Sequence, residues 1–247
     1  MKNLFGGIAV AFESRNYRLF WYGQVVNNLA VWVQRAGVQW LTWELTHSFI
    51  WLGVIGAASM LPTLVFGPIA GTAADRYGHR RQLQIAAGLA ACNGFVMGGV
   101  TFAGWMTAEL LLTLALFHGV VRSFTVPARN ALVHSLVNRA QLSAAIGLNA
   151  ATYQGSIFIG AAIGGAVVVF AGAASTFMIY GFSVVFAVIT IGLLDIAPVI
   201  GPTKERASFF SELVDGFRYA FSHGGIRIVL LFSLLIALFV QPYQEML

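Results

Sequence analysis

The segment 19–43 carries a line of polar side chains in an otherwise apolar sequence. Its members are Gln24, Asn27, Asn28, Gln34, Arg35, Gln39 and Thr42. At about 100° per residue, most of them fall within about 40° of Arg35, and Asn27 and Gln34 widen the stripe on one side. Hydrocarbon cannot satisfy amides or a guanidinium. The stripe therefore predicts the wall of a substrate cavity, or a hydrogen-bonded seam between helices with Arg35 reaching a water-filled vestibule.

Two further pairs of polar residues are spaced one helical turn apart. His118 and Arg122 form one pair, and Asn149 and Tyr153 form the other. Histidine titrates near neutral pH, so His118 could accept a proton in a coupled cycle, or it packs as a hydrogen-bonded residue. Arg122 faces the same cavity or extends its stem toward the cytoplasm. The second pair lines the cavity or joins neighbouring helices.

The segment 71–81 is the most specific local pattern. Its key residues are Gly71, Asp75, Arg76, Gly78, Arg80 and Arg81. Gly71 allows close helix packing and Gly78 a tight reversal of the chain. Asp75 can pair with a nearby basic side chain or with a helix N-terminus, which would make a latch for one conformation. The alternative is a basic loop that only sets membrane topology.

Motifs for enzyme chemistry are missing from the sequence. It holds no His-Glu-x-x-His pair, no phosphate-binding loop and no serine nucleophile motif. We therefore predict no catalytic residue, no metal site and no cofactor. Any transport would then be driven by an ion gradient and not by ATP hydrolysis. The single cysteine, Cys92, excludes an internal disulfide, and its apolar surroundings predict a small buried residue.

The elements that position these residues follow from composition. The 247 residues are 58% hydrophobic and only 9% charged, against about 25% charged in soluble domains. So few charges cannot cover a water-facing surface, which excludes a soluble enzyme, a nucleic-acid reader and a disordered tail. The 27 glycines favour membrane helices that pack closely through small residues.

Stretches poor in charge locate the membrane spans, since about 20 apolar residues cross a bilayer. We predict helices at 19–43, 49–74, 82–104, 107–127, 143–170, 174–195 and 226–246, with the tight turn of the long charge-free run at 171–175. This gives a bundle at 1–195, a linker at 196–225 and a seventh helix at 226–247. In the linker, apolar residues at helical spacing over 196–222 predict an amphipathic helix on the inner membrane surface, or a solvated one.

The basic residues predict the orientation. Twelve of the 14 Lys and Arg residues lie before the first predicted helix, in alternate connections or, for Arg227, at the very start of the last helix, and all twelve fall on one side of the membrane. The positive-inside rule makes that side cytoplasmic. We therefore predict a multi-pass protein of the cell (inner or plasma) membrane with a cytoplasmic N-terminus. The net charge of +5 is then a topology signal, and nucleic acid is not an expected partner.

The spacing of small residues favours an internal repeat. Gly67 and Gly71 in the second predicted helix match Gly160 and Gly164 in the fifth, and Gly165 extends the latter. The two helices cross the membrane in opposite directions, as an inverted repeat requires.

Three segments together resemble the major facilitator superfamily. Residues 71–81 are similar to its signature loop between helices 2 and 3, and 119–131 resembles the end of helix 4 in the enterobactin-exporter-like drug-efflux branch. Residues 160–165 resemble the antiporter motif, except that Ala161 stands where proline is usual. The resemblance implies an all-α polytopic fold: the N-terminal bundle of inverted three-helix repeats, followed by an incomplete C-terminal half.

The resemblance also implies a function. We expect secondary active efflux of small amphipathic molecules, such as drugs or siderophores, by alternating access and against inward proton flow. The expected partners are the lipid bilayer, the substrate, the proton and the missing C-terminal half or a partner half. The rival interpretation is a fragment that does not transport, or a half-transporter that needs a partner.

Overall fold

The computed structural model describes residues 12–195 and seven helical residues at 218, 222, 224, 225, 227, 228 and 232. The regular elements of the continuous part are all α-helices: α1 (Arg15–Thr46), α2 (Phe49–Tyr77), α3 (His79–Phe102), α4 (Ala108–Leu136) and α5 (Arg139–Gly192). The chain divides into two compact units, Met1–Pro198 and Val199–Leu247. Most of the predicted linker helix and of the seventh helix lies outside the described residues.

The long element α5 is two helices joined at a break. Gly172 has φ 79° and ψ 163°, which interrupts the helix between 139–171 and 173–192. Glycine adopts this positive φ without steric strain because it has no Cβ atom. The prediction of two helices with a turn at 171–175 is confirmed, and we refer to them as the first and second halves of α5.

Four helices of the described residues are long and apolar enough to cross a membrane: Phe49–Ala74, His79–Phe102, Ala108–Leu136 and Gln141–Gly192. The last has 52 residues, enough for two crossings of about 20 residues each. Helix α1 has 32 residues, which is long enough to cross, but its polar stripe lowers its hydropathy. The all-α polytopic fold predicted from composition is thereby confirmed.

The predicted end of the fourth helix is wrong. The sequence predicts an end at Pro127, but α4 continues to Leu136 with Pro127 inside it. Proline removes one helical hydrogen bond, and burial beyond it offsets that loss. Ala128, Leu132 and Leu136, spaced at four residues, are all buried in one apolar cluster with Tyr17. Arg129 therefore lies on a helix and not in a cytoplasmic loop.

The helices of the first unit pack in a reciprocal pattern. Helix α1 packs mainly on α5, α2 on α4, and α3 on both α4 and α5. In a bundle of two equivalent three-helix repeats, α1 corresponds to α4, and α2 corresponds to the first half of α5. The packing of α1 on the first half of α5 then has its counterpart in the packing of α4 on α2. The contacts therefore agree with inverted three-helix repeats.

Apolar residues cover the outside of this unit as well as its interior. Phe158 is 78% exposed and Phe170 is 89% exposed, as suits side chains that face lipid. The interior is built largely from alanine, with one cluster containing Ala30, Ala86, Ala87, Ala90 and Ala91. Cys92 is exposed, so the prediction that it is buried is wrong. An apolar neighbourhood does not distinguish lipid-facing from buried positions.

Hydrogen bonds fasten three helix ends at the predicted cytoplasmic side. The Ser14 hydroxyl accepts from the Tyr17 amide at 3.3 Å and donates to the Leu136 carbonyl at 3.0 Å. The Asn16 side chain donates to the Asp195 carbonyl at 2.7 Å and accepts from the Asp195 amide at 3.2 Å. The start of α1 is thus tied to the ends of α4 and α5.

Candidate substrate cavity and gating loop

A cavity of about 430 Å³ lies between α1, α4 and the first half of α5. Its lining residues are Phe20, Gln24, Asn28, Arg129, Asn130, Val133, His134, Ile146, Asn149, Ala150 and Tyr153. Four of them, Gln24, Asn28, Asn149 and Tyr153, are candidates from the sequence. Most polar groups of the lining are amides, which can both donate and accept hydrogen bonds.

Helix packing turns the polar stripe of α1 toward this cavity. A Cβ atom on Gly160 would stand 2.7 Å from the Trp32 Cβ, and one on Gly164 would stand 2.8 Å from the Ala36 Cβ. The apolar side of α1 is therefore held against the first half of α5. The side of α1 that carries Gln24 and Asn28 lies about one third of a turn away around the helix axis, and it faces the cavity.

Tyr17 anchors the α5 wall of the cavity. Its hydroxyl is buried, donates to the Ala145 carbonyl at 3.1 Å and lies 3.3 Å from the Asn149 Oδ1. One turn further along α1, the Trp21 indole donates to the Thr152 hydroxyl at 3.1 Å. These bonds join α1 to α5 and fix the Asn149 side chain beside the cavity.

Arg129 is the main lining residue that the sequence analysis missed. Its Nη1 donates to the Gln24 Oε1 at 3.4 Å, across the cavity from α4 to α1. Asn130 and His134 follow it on α4 and also line the cavity. The apolar spacing through Leu132 and Leu136 was the available signal, because it continues the helix past Pro127.

A second group of charged and aromatic residues contains Arg35, Trp32 and Tyr153, with Arg122 within electrostatic range of Arg35. Arg122 lies close enough to Arg35, His118 and Arg129 for electrostatic interaction with each. The Arg35 Cζ lies 4.8 Å from the centroid of the Trp32 ring, a cation–π distance. The Trp32 ring in turn lies 6.2 Å from that of Tyr153, centroid to centroid.

His118 packs against an aromatic ring. Its imidazole lies 5.6 Å from the ring centroid of Tyr180 on the second half of α5. Its Nδ1 is buried and has no hydrogen-bond partner among the described residues. This environment places His118 inside the bundle beside Arg122 and not in the lining of the cavity.

The remaining members of the stripe point elsewhere. Gln34 is buried, with its Nε2 3.8 Å from the Met97 Sδ on α3. The Thr42 hydroxyl donates to the Val38 carbonyl of its own helix at 2.6 Å. Asn27 is partly exposed, and Gln39 is exposed. The stripe thus divides into a cavity side with Gln24 and Asn28 and a packing side with Gln34.

The segment 71–81 forms the tight connection between α2 and α3. Gly78 has φ 89°, and its amide donates to the Ala74 carbonyl at 3.0 Å. Arg80 reaches across to the last turn of α5, where its Nη2 donates to the Gly192 carbonyl at 2.8 Å. Arg76 is partly exposed and Arg81 is exposed, and Asp75 lies in the last turn of α2.

The predicted packing glycines behave differently from one another. Gly160 and Gly164 are buried against α1. A Cβ atom on Gly165 or on Gly71 would have no neighbour within 4 Å among the described residues. Of the predicted packing glycines, Gly160 and Gly164 therefore make the close contacts, both with α1, and Gly71 makes none.

Gln82 is a second residue that sequence analysis missed. Its Nε2 donates to the Ala70 carbonyl on α2 at 2.9 Å and to the Phe124 carbonyl on α4 at 3.0 Å. One buried amide therefore joins α3 to both neighbours just inside the loop. In the sequence, the only feature that could have marked Gln82 is its position directly after Arg81.

A helical membrane bundle of paired inverted repeats with a polar cavity is the architecture of a membrane transport protein of the major facilitator superfamily. Comparison with family models supports this assignment: one described as "Transmembrane secretion effector" matches residues 8–244. The chain belongs to this family.

Three relatives illustrate what the chain resembles. The multi-drug resistance efflux pump PmrA of Streptococcus pneumoniae is 29% identical over 83% of this chain and 51% of its own length. The multidrug efflux pump Tap of Mycobacterium tuberculosis is 24% identical over 84% and 51%. The staphyloferrin A transporter of Staphylococcus aureus is 23% identical over 61% and 38%. The chain spans about half the length of the efflux pumps it matches.

Proposed function

We propose that this protein exports small amphipathic molecules across the cell membrane as a secondary active transporter. The observation that carries the proposal is the polar cavity between α1, α4 and α5, inside a bundle whose family and relatives are transporters. Its amides and Tyr153 can orient a ligand, and Phe20, Val133 and Ile146 add apolar surface for an amphipathic molecule.

The cavity described here forms one wall of the proposed site. Because the efflux pumps that the chain matches are about twice as long, we propose that a second bundle supplies the opposite wall. That bundle belongs either to the same polypeptide or to a partner half. Rocking of the two bundles would then expose the site to each side in turn.

We further propose that inward proton flow drives export and that the N-terminus is cytoplasmic. The first point rests on the resemblance to the drug-efflux branch and on His118 as a titratable group of α4. The placement of Lys and Arg supports the second. In this scheme the loop at 71–81 is a gate, with Asp75 as the acid of a latch and Arg76, Arg80 and Arg81 as its basic residues.

Export is tested in a host that lacks its own pumps. The complete gene is expressed, and accumulation of a panel of dyes, drugs and siderophores is compared with that in cells carrying an empty vector. We expect lower accumulation of at least one compound, restored by a protonophore. Equal accumulation for every compound, with the protein present in the membrane, would contradict export. Export that survives collapse of the proton gradient would contradict proton coupling alone.

A further inference from the structure

One guanidinium group lines the cavity, and it has a second within electrostatic range, which in turn is near a third. Arg129 lines the cavity and binds Gln24, and Arg122 interacts electrostatically with both Arg129 and Arg35. Arginine keeps its proton in proteins, so this region holds three positive charges. They come from two different helices, α1 and α4, which face each other across the cavity.

The carboxylates of the two helices that carry these arginines lie away from this region. Glu44 follows Arg35 by nine residues, or about 14 Å along α1, and Glu109 precedes Arg122 by 13 residues, or about 20 Å along α4. Asp75 lies in the last turn of α2, and Glu13 and Asp195 lie beyond helix ends. Among the described residues the cavity lining contains four side-chain amides and a guanidinium, but no carboxylate.

From this distribution we infer that the transported molecule is an organic anion, an amphipathic compound with an ionised carboxylate or phenolate. The inference rests on the proposed export function and names its substrate class. A guanidinium binds a carboxylate through two parallel hydrogen bonds, and exclusion of water strengthens the attraction. A cation of the same shape meets repulsion from Arg129 at the cavity wall, and the nearby Arg122 adds to the positive charge there.

The other lining groups suit the same ligand. The Tyr153 hydroxyl and the amides of Asn28 and Asn149 can donate hydrogen bonds to further oxygen atoms. Phe20 and Ile146 provide apolar surface for the carbon skeleton. The cavity therefore combines positive charge, neutral donors and apolar contact, which match an acid with a hydrophobic body.

The test uses two dyes with one ring system and opposite charge. Cells that express the complete gene are loaded with anionic fluorescein or with a cationic rhodamine ester, which share the xanthene core, and initial efflux rates are measured. We expect export of fluorescein and at least about tenfold slower export of the rhodamine. Export of the rhodamine at an equal or higher rate overturns the inference and leaves the export function standing. Failure to export either dye or any compound of the panel overturns both.

Variants of Arg129 then separate charge from shape. Arg129→Gln should slow fluorescein efflux by about tenfold or more, whereas Arg129→Lys keeps the charge and should retain most of the rate. The matched control is Arg15→Gln, because Arg15 is exposed at the start of α1 and touches no part of the cavity. Equal fluorescein rates in Arg129→Gln and wild type, at equal membrane levels, would overturn the role of this charge.

Discussion

The contact between α1 and the first half of α5 depends on glycine, and Gly160→Ala is its most direct test. An added Cβ would stand 2.7 Å from the Trp32 Cβ and 2.8 Å from the Leu29 carbonyl oxygen. Ordinary contact begins at about 3.4 Å, so the two helices must separate locally by about 0.7 Å. Because one of these neighbours is backbone, rotation of a side chain cannot relieve the overlap.

The expected magnitude follows from two opposing effects. Overpacking of a tight interface typically costs about 1–3 kcal/mol. Alanine in place of glycine inside a helix recovers about 0.5–1 kcal/mol. We therefore expect Gly160→Ala to lower the free energy of unfolding by up to about 2.5 kcal/mol. The apparent Tm should fall by several degrees, on the scale of about 2–4 °C per kcal/mol for chains of this size. Ligand binding should weaken as well, since Gln24 and Asn149 line the cavity from these two helices.

The matched control is Gly165→Ala. The same substitution in the same helix adds a Cβ with no neighbour within 4 Å among the described residues, so only the gain in helix propensity applies. Thermal unfolding of both variants in detergent, followed by fluorescence-detected size exclusion, compares them directly. If Gly160→Ala is as stable as Gly165→Ala, α1 and α5 do not pack as described.

Three further outcomes are expected. Gln82→Met removes two buried hydrogen bonds and should lower the free energy of unfolding by about 1–3 kcal/mol. The control Gln154→Met, at an exposed position, should change it little. Equal stability of the two variants would contradict the role of Gln82 in joining α3 to α2 and α4. Asp75→Asn should reduce efflux about tenfold or more without lowering the amount of protein in the membrane, and normal efflux would remove this carboxylate from the gate. Reporter fusions at Gly104 and Ala174 should report the outside and a fusion at Ser208 the cytoplasm, and a cytoplasmic signal at Ala174 would refute the topology.

The sequence predicts the fold well because membrane spans have a simple signature. Charge-poor runs locate every helix of residues 12–195, and the turn predicted at 171–175 contains the observed break at Gly172. The end of α4 was missed because proline is a weak signal when the helix beyond it is buried in a core. Cys92 was misplaced because lipid accepts the same side chains as a protein interior, so hydropathy does not reveal which face is covered.

The candidate site was predictable only in part. Helical periodicity identified Gln24 and Asn28 as one face, because a turn of helix is a local property. It could not separate them from Gln34, which turns to Met97 on α3, since the direction of neighbouring helices is a long-range property. The sequence counts Arg129 among the basic residues that set membrane topology. A basic residue near the membrane edge can either orient the protein or bind a ligand, and the sequence does not distinguish these two roles.

Tyr17 offers a test of how the cavity wall is held. Its ring is fully buried, and its hydroxyl joins the Ala145 carbonyl and the Asn149 side chain. Tyr17→Phe keeps the apolar ring and removes only these bonds, so the free energy of unfolding should fall by about 1 kcal/mol. Tyr22→Phe is the matched control, because Tyr22 is 55% exposed and its loss should stay within about 0.5 kcal/mol. Freed from Tyr17, Asn149 samples more rotamers, so ligand affinity should fall in Tyr17→Phe alone. Equal affinity and stability in the two variants would show that the wall is held by packing and not by this hydroxyl.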